Sequence, residues 1–216
     1  MIVELDDFGC DHVISDKCQS HDCRDQLLRL KELNPAFKAT LFAIPAEMTM
    51  ELQQWCGQNS QWIELAVHGF LHSSNYECEK WDYDQMDAAM SITRQMGCFN
   101  KIFRAPGWQI SDDCLKWLLD HNWVVADQSY NNDRRSPDLN AYINTDGVFS
   151  FAKTRKYSVE VKGETHYKDD KSGGRVEAYH GHTWNVGWNG IYEDYDKVAD
   201  LVKNAETFQF VSELFR

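Results

Sequence analysis

No apolar run in this 216-residue sequence approaches the roughly 20 residues that a membrane-spanning helix needs. No leader is expected either. MIVELDD passes from Met1 into a β-branched run and then into acid, with no basic region and no leader-like apolar core, so a cytoplasmic protein is expected. Positive charge is scarce: 22 Lys and Arg against 34 Asp and Glu leave a formal charge of −12. Such a surface repels phosphates and anionic lipid, which argues against nucleic-acid and membrane partners. The seven cysteines, Cys10, Cys18, Cys23, Cys56, Cys78, Cys98 and Cys114, include no CxxC pair. They are odd in number and confined to the first 114 residues, so they read as reduced thiols rather than a disulfide framework. With no internal repeat, low-complexity tract or long linker, residues 1–216 read as a single domain.

What is present is an alternation of strand-like and helix-like segments. Strands are predicted at 1–5, 39–45, 62–68, 101–106, 123–130, 176–184 and 208–215. Helices are predicted at 20–34 behind Ser20 as cap, with Leu27, Leu28, Leu30 and Leu33 at helical spacing, and at 49–58, 79–96, 111–122 behind Ser111, and 194–206. Apolar strands alternating with helices imply a parallel sheet with helices on its outer face, an α/β fold of the closed or nearly closed (β/α) barrel kind with seven core strands. Residues 131–174 break the rhythm as a β-rich insertion, with NNDRRSPDLN read as loop and GVFSFAKTRKYSVEV as a β-excursion. Aromatic content is high at 13%, with eight tryptophans, most of which suit the core and some a groove for ring-shaped ligands.

In β/α barrels the C-terminal strand ends share one face, and that face carries the chemistry. Polar side chains fall at those ends: Asp6 and Asp7 after the first strand, His68 and His72 at and beyond the third, then Arg104, Asp127, and the pair His180 and His182. A lone HxxxH reads most simply as one core and one loop histidine. Joined to a strand-terminal Asp-Asp, it reads as a divalent-metal site, because two neutral imidazoles and a carboxylate leave a position open for water. Zinc is the default for that donor set, with cobalt and nickel also compatible. Neighbouring side chains on an extended strand point oppositely, so Asp6 and Asp7 are expected to have different tasks, one on the metal and one near its water.

Five stretches, VELDDFG, AVHGFLHS, IFRAPGW, VVADQSY and AYHGHTW, occur in this order over residues 3 to 184. Together they resemble the five motifs of the polysaccharide deacetylase family, carbohydrate esterase family four. The resemblance implies a distorted, TIM-barrel-like seven-stranded barrel that hydrolyses amide or ester acetyl groups on carbohydrate. It implies Asp6 as general base, Asp7, His68 and His72 as metal ligands, and Arg104 as the residue holding Asp6. It further implies a last-motif histidine as general acid, tuned by Asp127. Between His180 and His182 the GHTW context favours His182, leaving His180 as a supporting or substrate-contacting residue. Leu5 stands where Thr or Phe is usual. Gly107 stands where an aromatic often follows the proline, leaving a backbone N–H free for an oxyanion. Trp108, Tyr130, Trp184 and Trp188 are candidates for a substrate wall, each as readily explained by loop packing.

Two alternatives share these residues: an amidase acting on a non-sugar or cyclic amide, since the metal centre meets only the carbonyl, and a catalytically silent carbohydrate-binding barrel. Partners are otherwise expected to be an acetylated sugar or other small amide, with exposed aromatic loops that suit self-association.

Overall fold

The computed structural model describes residues 1–15, 18–74, 76–130, 137–144, 147–150, 157–161, 164–168, 177–186 and 195–215. Of these, 12–15, 18–19, 108, 127–130, 137–178, 185 and 214–215 are described by backbone alone.

The centre is a sheet of six parallel strands curled into a half-barrel. In chain order these are β1 (Ile2–Phe8), β4 (Ala39–Ala43), β5 (Ile63–His68), β6 (Ile102–Arg104), β7 (Val124–Tyr130) and β12 (Glu177–His182), in the spatial order β12-β1-β4-β5-β6-β7. β2 (His12–Ser15) and β3 (Cys18–Ser20) form a separate hairpin after β1. β4 and β5 are buried from end to end, as central strands of a parallel sheet are, and their sequences ATLFA and IELAVH are correspondingly apolar. The insertion is β-rich as expected. β8 (Pro137–Asn144) and β9 (Gly147–Ser150) add antiparallel strands to β7, while β10 (Tyr157–Val161) and β11 (Glu164–Lys168) do the same on β12. Residues 137–140, expected as loop, are therefore strand: the pairing partner is supplied by β7, whose own run of Val and Tyr invites it.

Helices α1 (Arg24–Leu33), α2 (Met50–Gln58), α3 (Tyr83–Met96), α4 (Asp112–Asp120), α5 (Thr183–Val186) and α6 (Tyr195–Asn204) complete the chain. α3 buries Met86, Ala89, Met90 and Thr93, a spacing of three and four that lines one face. Asp82 and Gln85 close its start as a reciprocal capping box, and Gly97 ends it in the left-handed conformation that glycine adopts at little cost. α1 differs from expectation. It starts at Arg24 with no side-chain cap, because Ser20 belongs to β3 and donates its hydroxyl to the Cys10 carbonyl instead. Only Leu27 and Leu30 of its four leucines reach the core; Leu28 and Leu33 are exposed.

The seventh strand expected at 208–215 is a 3-10 turn over Val211–Phe215. Its buried residues, Phe208 and Val211, are three apart rather than alternating. Its amides are spent on fixed acceptors: Gln209 N–H on the Met1 carbonyl at 2.9 Å, Val211 N–H on Thr40 Oγ1 at 3.1 Å and Ser212 N–H on Glu64 Oε2 at 3.3 Å. Buried side chains form two apolar clusters. One packs Leu27, Leu30, Leu52 and Val202 under α1, α2 and α6; the other packs Met86, Met90, Trp117 and Trp123 under α3 and α4. Trp117 and Trp123 thus serve the core. Among the described residues no helix is long and apolar enough to cross a membrane.

Candidate metal centre

Parallel register brings the polar strand ends into line. Asp6 pairs with His182 across β1 and β12, Glu4 with His180 one step deeper, and His68 with Arg104 across β5 and β6. At Asp7 the alternation of β1 fails. The backbone there turns to φ +65°, and the register against β4 slips between Leu5 and Phe8, the mark of a bulge. This conformation costs a non-glycine residue about 1–3 kcal/mol, with Asp among the residues that tolerate it best. Two bonds hold it: the Asp7 carbonyl accepts from His21 N–H at 2.9 Å and from the Thr183 hydroxyl at 3.0 Å. The bulge swings Asp7 toward the same end of the sheet as Asp6, so both carboxylates meet the histidines although they are adjacent in sequence.

Asp7, His68 and His72 present one donor atom each, all within 4.8 Å of one another and all buried. Asp7 Oδ1 stands 3.4 Å from His68 Nε2 and 3.3 Å from His72 Nε2. His68 Nδ1 lies 3.1 Å from the Arg104 carbonyl, an acceptor, so Nδ1 is a donor there and Nε2 is turned toward the carboxylate. Asp7 Oδ1 is buried and has no hydrogen bond among the described residues. A buried carboxylate oxygen without a hydrogen bond, set between two imidazole nitrogens, is the arrangement a divalent ion bridges, so the donor set fits one. Burial, then the nearby His68 charge, pushes the His72 imidazole down to about 4, which leaves it neutral and ligand-ready at pH 7. Burial alone would raise the Asp7 carboxyl, but the surrounding imidazoles, His68 foremost, hold it below the usual carboxylate range.

Asp6 faces a different set. Its Oδ1 accepts from Arg104 Nη1 at 2.7 Å, and its Oδ2 lies 3.9 Å from His68 Nε2. Burial would raise this carboxyl, yet the Arg104 guanidinium, with His68 and His180, keeps it well below the usual range. Arg104 is itself fully buried, stacks 3.7 Å above the Phe42 ring, donates Nε–H to the Ala126 carbonyl at 3.1 Å and pairs with Glu4 through Nη2. The two histidines of β12 part company. His180 is buried beside that cluster, its Nδ1 3.3 Å from Arg104 Nη1. His182 is 27% exposed at its side chain, with Nε2 3.9 Å from Asp7 Oδ2 and its ring stacked on Trp184 at 5.0 Å.

No protein-family model matches the sequence, and no curated protein is significantly similar to it. Solved structures are similar. The Xyl-CE4 domain of a multidomain xylanase from the hindgut metagenome of Trinervitermes trinervoides aligns with 99% of this chain and 88% of its own, at 16% identity and a TM-score of 0.57. A family 4 acetyl xylan esterase from Clostridium thermocellum, solved with a cobalt ion, aligns with 100% of this chain and 90% of its own at 14% identity and a TM-score of 0.54. The chain has the fold of the family 4 carbohydrate esterases. The same fold is seen in the Bc1960 peptidoglycan N-acetylglucosamine deacetylase, at 16% identity and a TM-score of 0.54 over 98% of this chain and 86% of its own.

Within this esterase fold, Asp6, Asp7, His68, Arg104 and His182 are drawn together from β1, β5, β6 and β12, with His72 from the loop after β5. Gly107 lies in the 3-10 turn Pro106–Trp108 at φ +61°. Asp127 and Tyr130 are placed on β7 by their backbone and Trp108 on that turn, with side chains outside the described residues; Trp188 is outside them entirely. The sequence reading passed over Glu4. Its signal was an acid two residues before Asp6, on the same face of a fully buried strand, where only a buried cation such as Arg104 makes a second carboxylate tolerable. His21, whose backbone pins Asp7, left no signal of comparable clarity, since its partner lies across a loop.

Proposed function

We propose that the protein is a metal-dependent hydrolase that removes acetyl groups from a carbohydrate, with zinc as its ion. The observation that carries this reading is the buried triad of Asp7, His68 and His72, whose ligand atoms all lie within 4.8 Å of one another. Asp7, His68 and His72 would hold the ion. When bound, it supplies a Lewis acid for the acetyl carbonyl and lowers the pKa of a water toward about 7.

Asp6 is the general base. Arg104 occupies its Oδ1, so Oδ2 is the oxygen available to take the proton of the attacking water. The guanidinium keeps this carboxylate ionised in every molecule at neutral pH, and the ion pair fixes its direction. Arg104 is itself fixed by Glu4, the Ala126 carbonyl and the Phe42 ring. His182 is the general acid: at the mouth, beside the triad and partly open to solvent, it can collect a proton from water and pass it from Nε2 to the leaving nitrogen or oxygen. His180, buried against Arg104, has no such access and supports the Asp6–Arg104 pair. The Gly107 N–H is a candidate donor to the developing oxyanion. Trp184, stacked on His182, would form part of the sugar-facing wall; Trp108 and Tyr130 are taken as further wall residues and Asp127 as the group tuning His182 on the resemblance alone.

A sugar substrate is supported by the neighbours, whose names are an acetyl xylan esterase and a peptidoglycan N-acetylglucosamine deacetylase. The test is acetate release from N-acetylated chito-oligosaccharides, acetylated xylo-oligosaccharides and simple non-sugar amides, before and after chelation, with zinc and cobalt added back. Metal-restored release from a sugar is expected. Release from non-sugar amides alone would overturn the carbohydrate assignment, and no release from any substrate by the zinc-loaded protein would overturn catalysis.

A further inference from the structure

The two histidines of the triad are steered differently. His68 is oriented through its own ring, Nδ1 against the Arg104 carbonyl. His72 Nδ1 has no hydrogen bond among the described residues, so no such bond behind its ring sets the direction of Nε2 there. The backbone of His72 is gripped instead. The buried carboxylate of Glu77 accepts three consecutive amides: Phe70 N–H on Oε2 at 3.0 Å, Leu71 N–H on Oε1 at 2.9 Å and His72 N–H on Oε2 at 3.0 Å. Three successive N–H groups converge only because the chain curls left-handed at both ends of the segment, at Gly69 (φ +63°) and at His72 (φ +51°). Gly69 has a second reason to lack a side chain, since a Cβ there would lie 2.4 Å from Glu77 Oε2 and 2.6 Å from Pro106 Cγ. The carboxylate fills the hollow of the loop.

We propose that Glu77 is a positioning residue for the metal centre, aiming His72 through its main chain as the Arg104 carbonyl aims His68 through its side chain. It touches neither substrate nor ion. A ligand whose φ lies in the left-handed region relaxes away unless its amide is held, and three charge-assisted bonds from a buried carboxylate supply that restraint. This inference rests on the triad binding a metal, as proposed above.

Zinc affinity of the full chain, measured by competition with a chromophoric chelator, tests it together with melting of the metal-free proteins. Glu77→Ala should weaken zinc by about 10–100-fold, the range typical when an outer partner of a ligand is lost. Glu77→Gln, which keeps one oxygen for Phe70 and His72 but turns an amide NH2 donor toward the Leu71 N–H, should show a smaller loss, and its cobalt form should have an altered visible spectrum. Gly97→Ala strains the left-handed C-cap of α3, which leads into the start of β6 rather than its Arg104 end, and should lower the melting temperature while leaving zinc affinity unchanged, separating positioning from general destabilisation. Wild-type zinc affinity in folded Glu77→Ala overturns the inference. Should that variant fail to fold, wild-type affinity and spectrum in Glu77→Gln overturn it. If the wild-type chain itself binds no zinc, the metal reading falls and the inference falls with it, an outcome distinct from a bound ion indifferent to Glu77.

Discussion

Replacing Arg104 with Met keeps most of the buried volume and removes the guanidinium. The variant leaves Glu4 and Asp6 inside the protein with the cation between them gone. Breaking a buried ion pair by removing one partner costs about 3–5 kcal/mol. At about 2–4 °C per kcal/mol for a chain of this size, the melting temperature should fall by about 6–20 °C at about pH 8. The loss should depend on pH with a definite sign. In the wild type, Asp6 is held below its usual range, so its contribution is present above the unfolded value near 3.8 and disappears only as pH falls through the lower folded value. Glu4 runs the other way: burial outweighs Arg104 and raises it, so the stability linked to Glu4 is present at low pH and is lost as pH rises through its folded pKa. Without the guanidinium both carboxyls move up. Above about pH 4 the folded variant then holds more protons than its unfolded chain, and its stability falls as pH rises. Calorimetric melting of metal-free wild type and Arg104→Met should show a gap that widens from about pH 4.5 to about pH 8. Adding Glu4→Gln and Asp6→Asn to the variant should recover much of the loss, since a neutral cluster needs no cation. A gap that is constant with pH, or smaller than about 2 °C throughout, would refute the reasoning.

Three further outcomes are expected. His182→Gln should lower kcat for acetate release by about 10²–10⁴-fold with bound zinc unchanged by elemental analysis, whereas His180→Gln should lower the melting temperature more than His182→Gln does. Gly69→Ala should destabilise the protein by about 1–3 kcal/mol in chemical denaturation, because φ +63° is strained for alanine and its Cβ meets Glu77 and Pro106. Cys10 donates its thiol to Glu47 Oε2 at 3.0 Å, and burial together with that carboxylate pushes it up to about 11. Its thiolate, about 10⁻³ of the thiol at pH 8, should make alkylation by iodoacetamide about 10²-fold slower than for a free cysteine, and Glu47→Gln should speed it up.

Much of this was legible because it was local. Met86, Ala89, Met90 and Thr93 repeat at helical spacing, ATLFA and IELAV are short apolar runs ended by Pro or His, and the strand order puts their ends together without further information. The triad could be read from the same logic, because His68 closes a buried strand and Asp7 lies near the end of another. What was not legible depended on distant partners. FQFVSELF has the composition of a strand, but Thr40 and Glu64, near the starts of β4 and β5, capture its amides. Ser20 looks like a helix cap until the hairpin of β2 and β3 claims it. The direction of Asp7 needed the bulge, and the bulge needed His21 and Thr183, which lie 14 and 176 residues further along the chain. Glu77 was hidden for a similar reason: an acid in a loop signals nothing until three amides are seen to turn toward it.

Positions 7 and 72 both sit where an L-residue is rarely at ease, and Asp and His are among the few side chains that settle there. Anyone seeking to retune which ion the protein prefers therefore has unequal freedom at the three donors. A glutamate at 7, or a cysteine at 72, would meet the backbone's objection before any ion could judge the new ligand. Position 68, on ordinary strand geometry with a carbonyl behind its ring, is the place to begin.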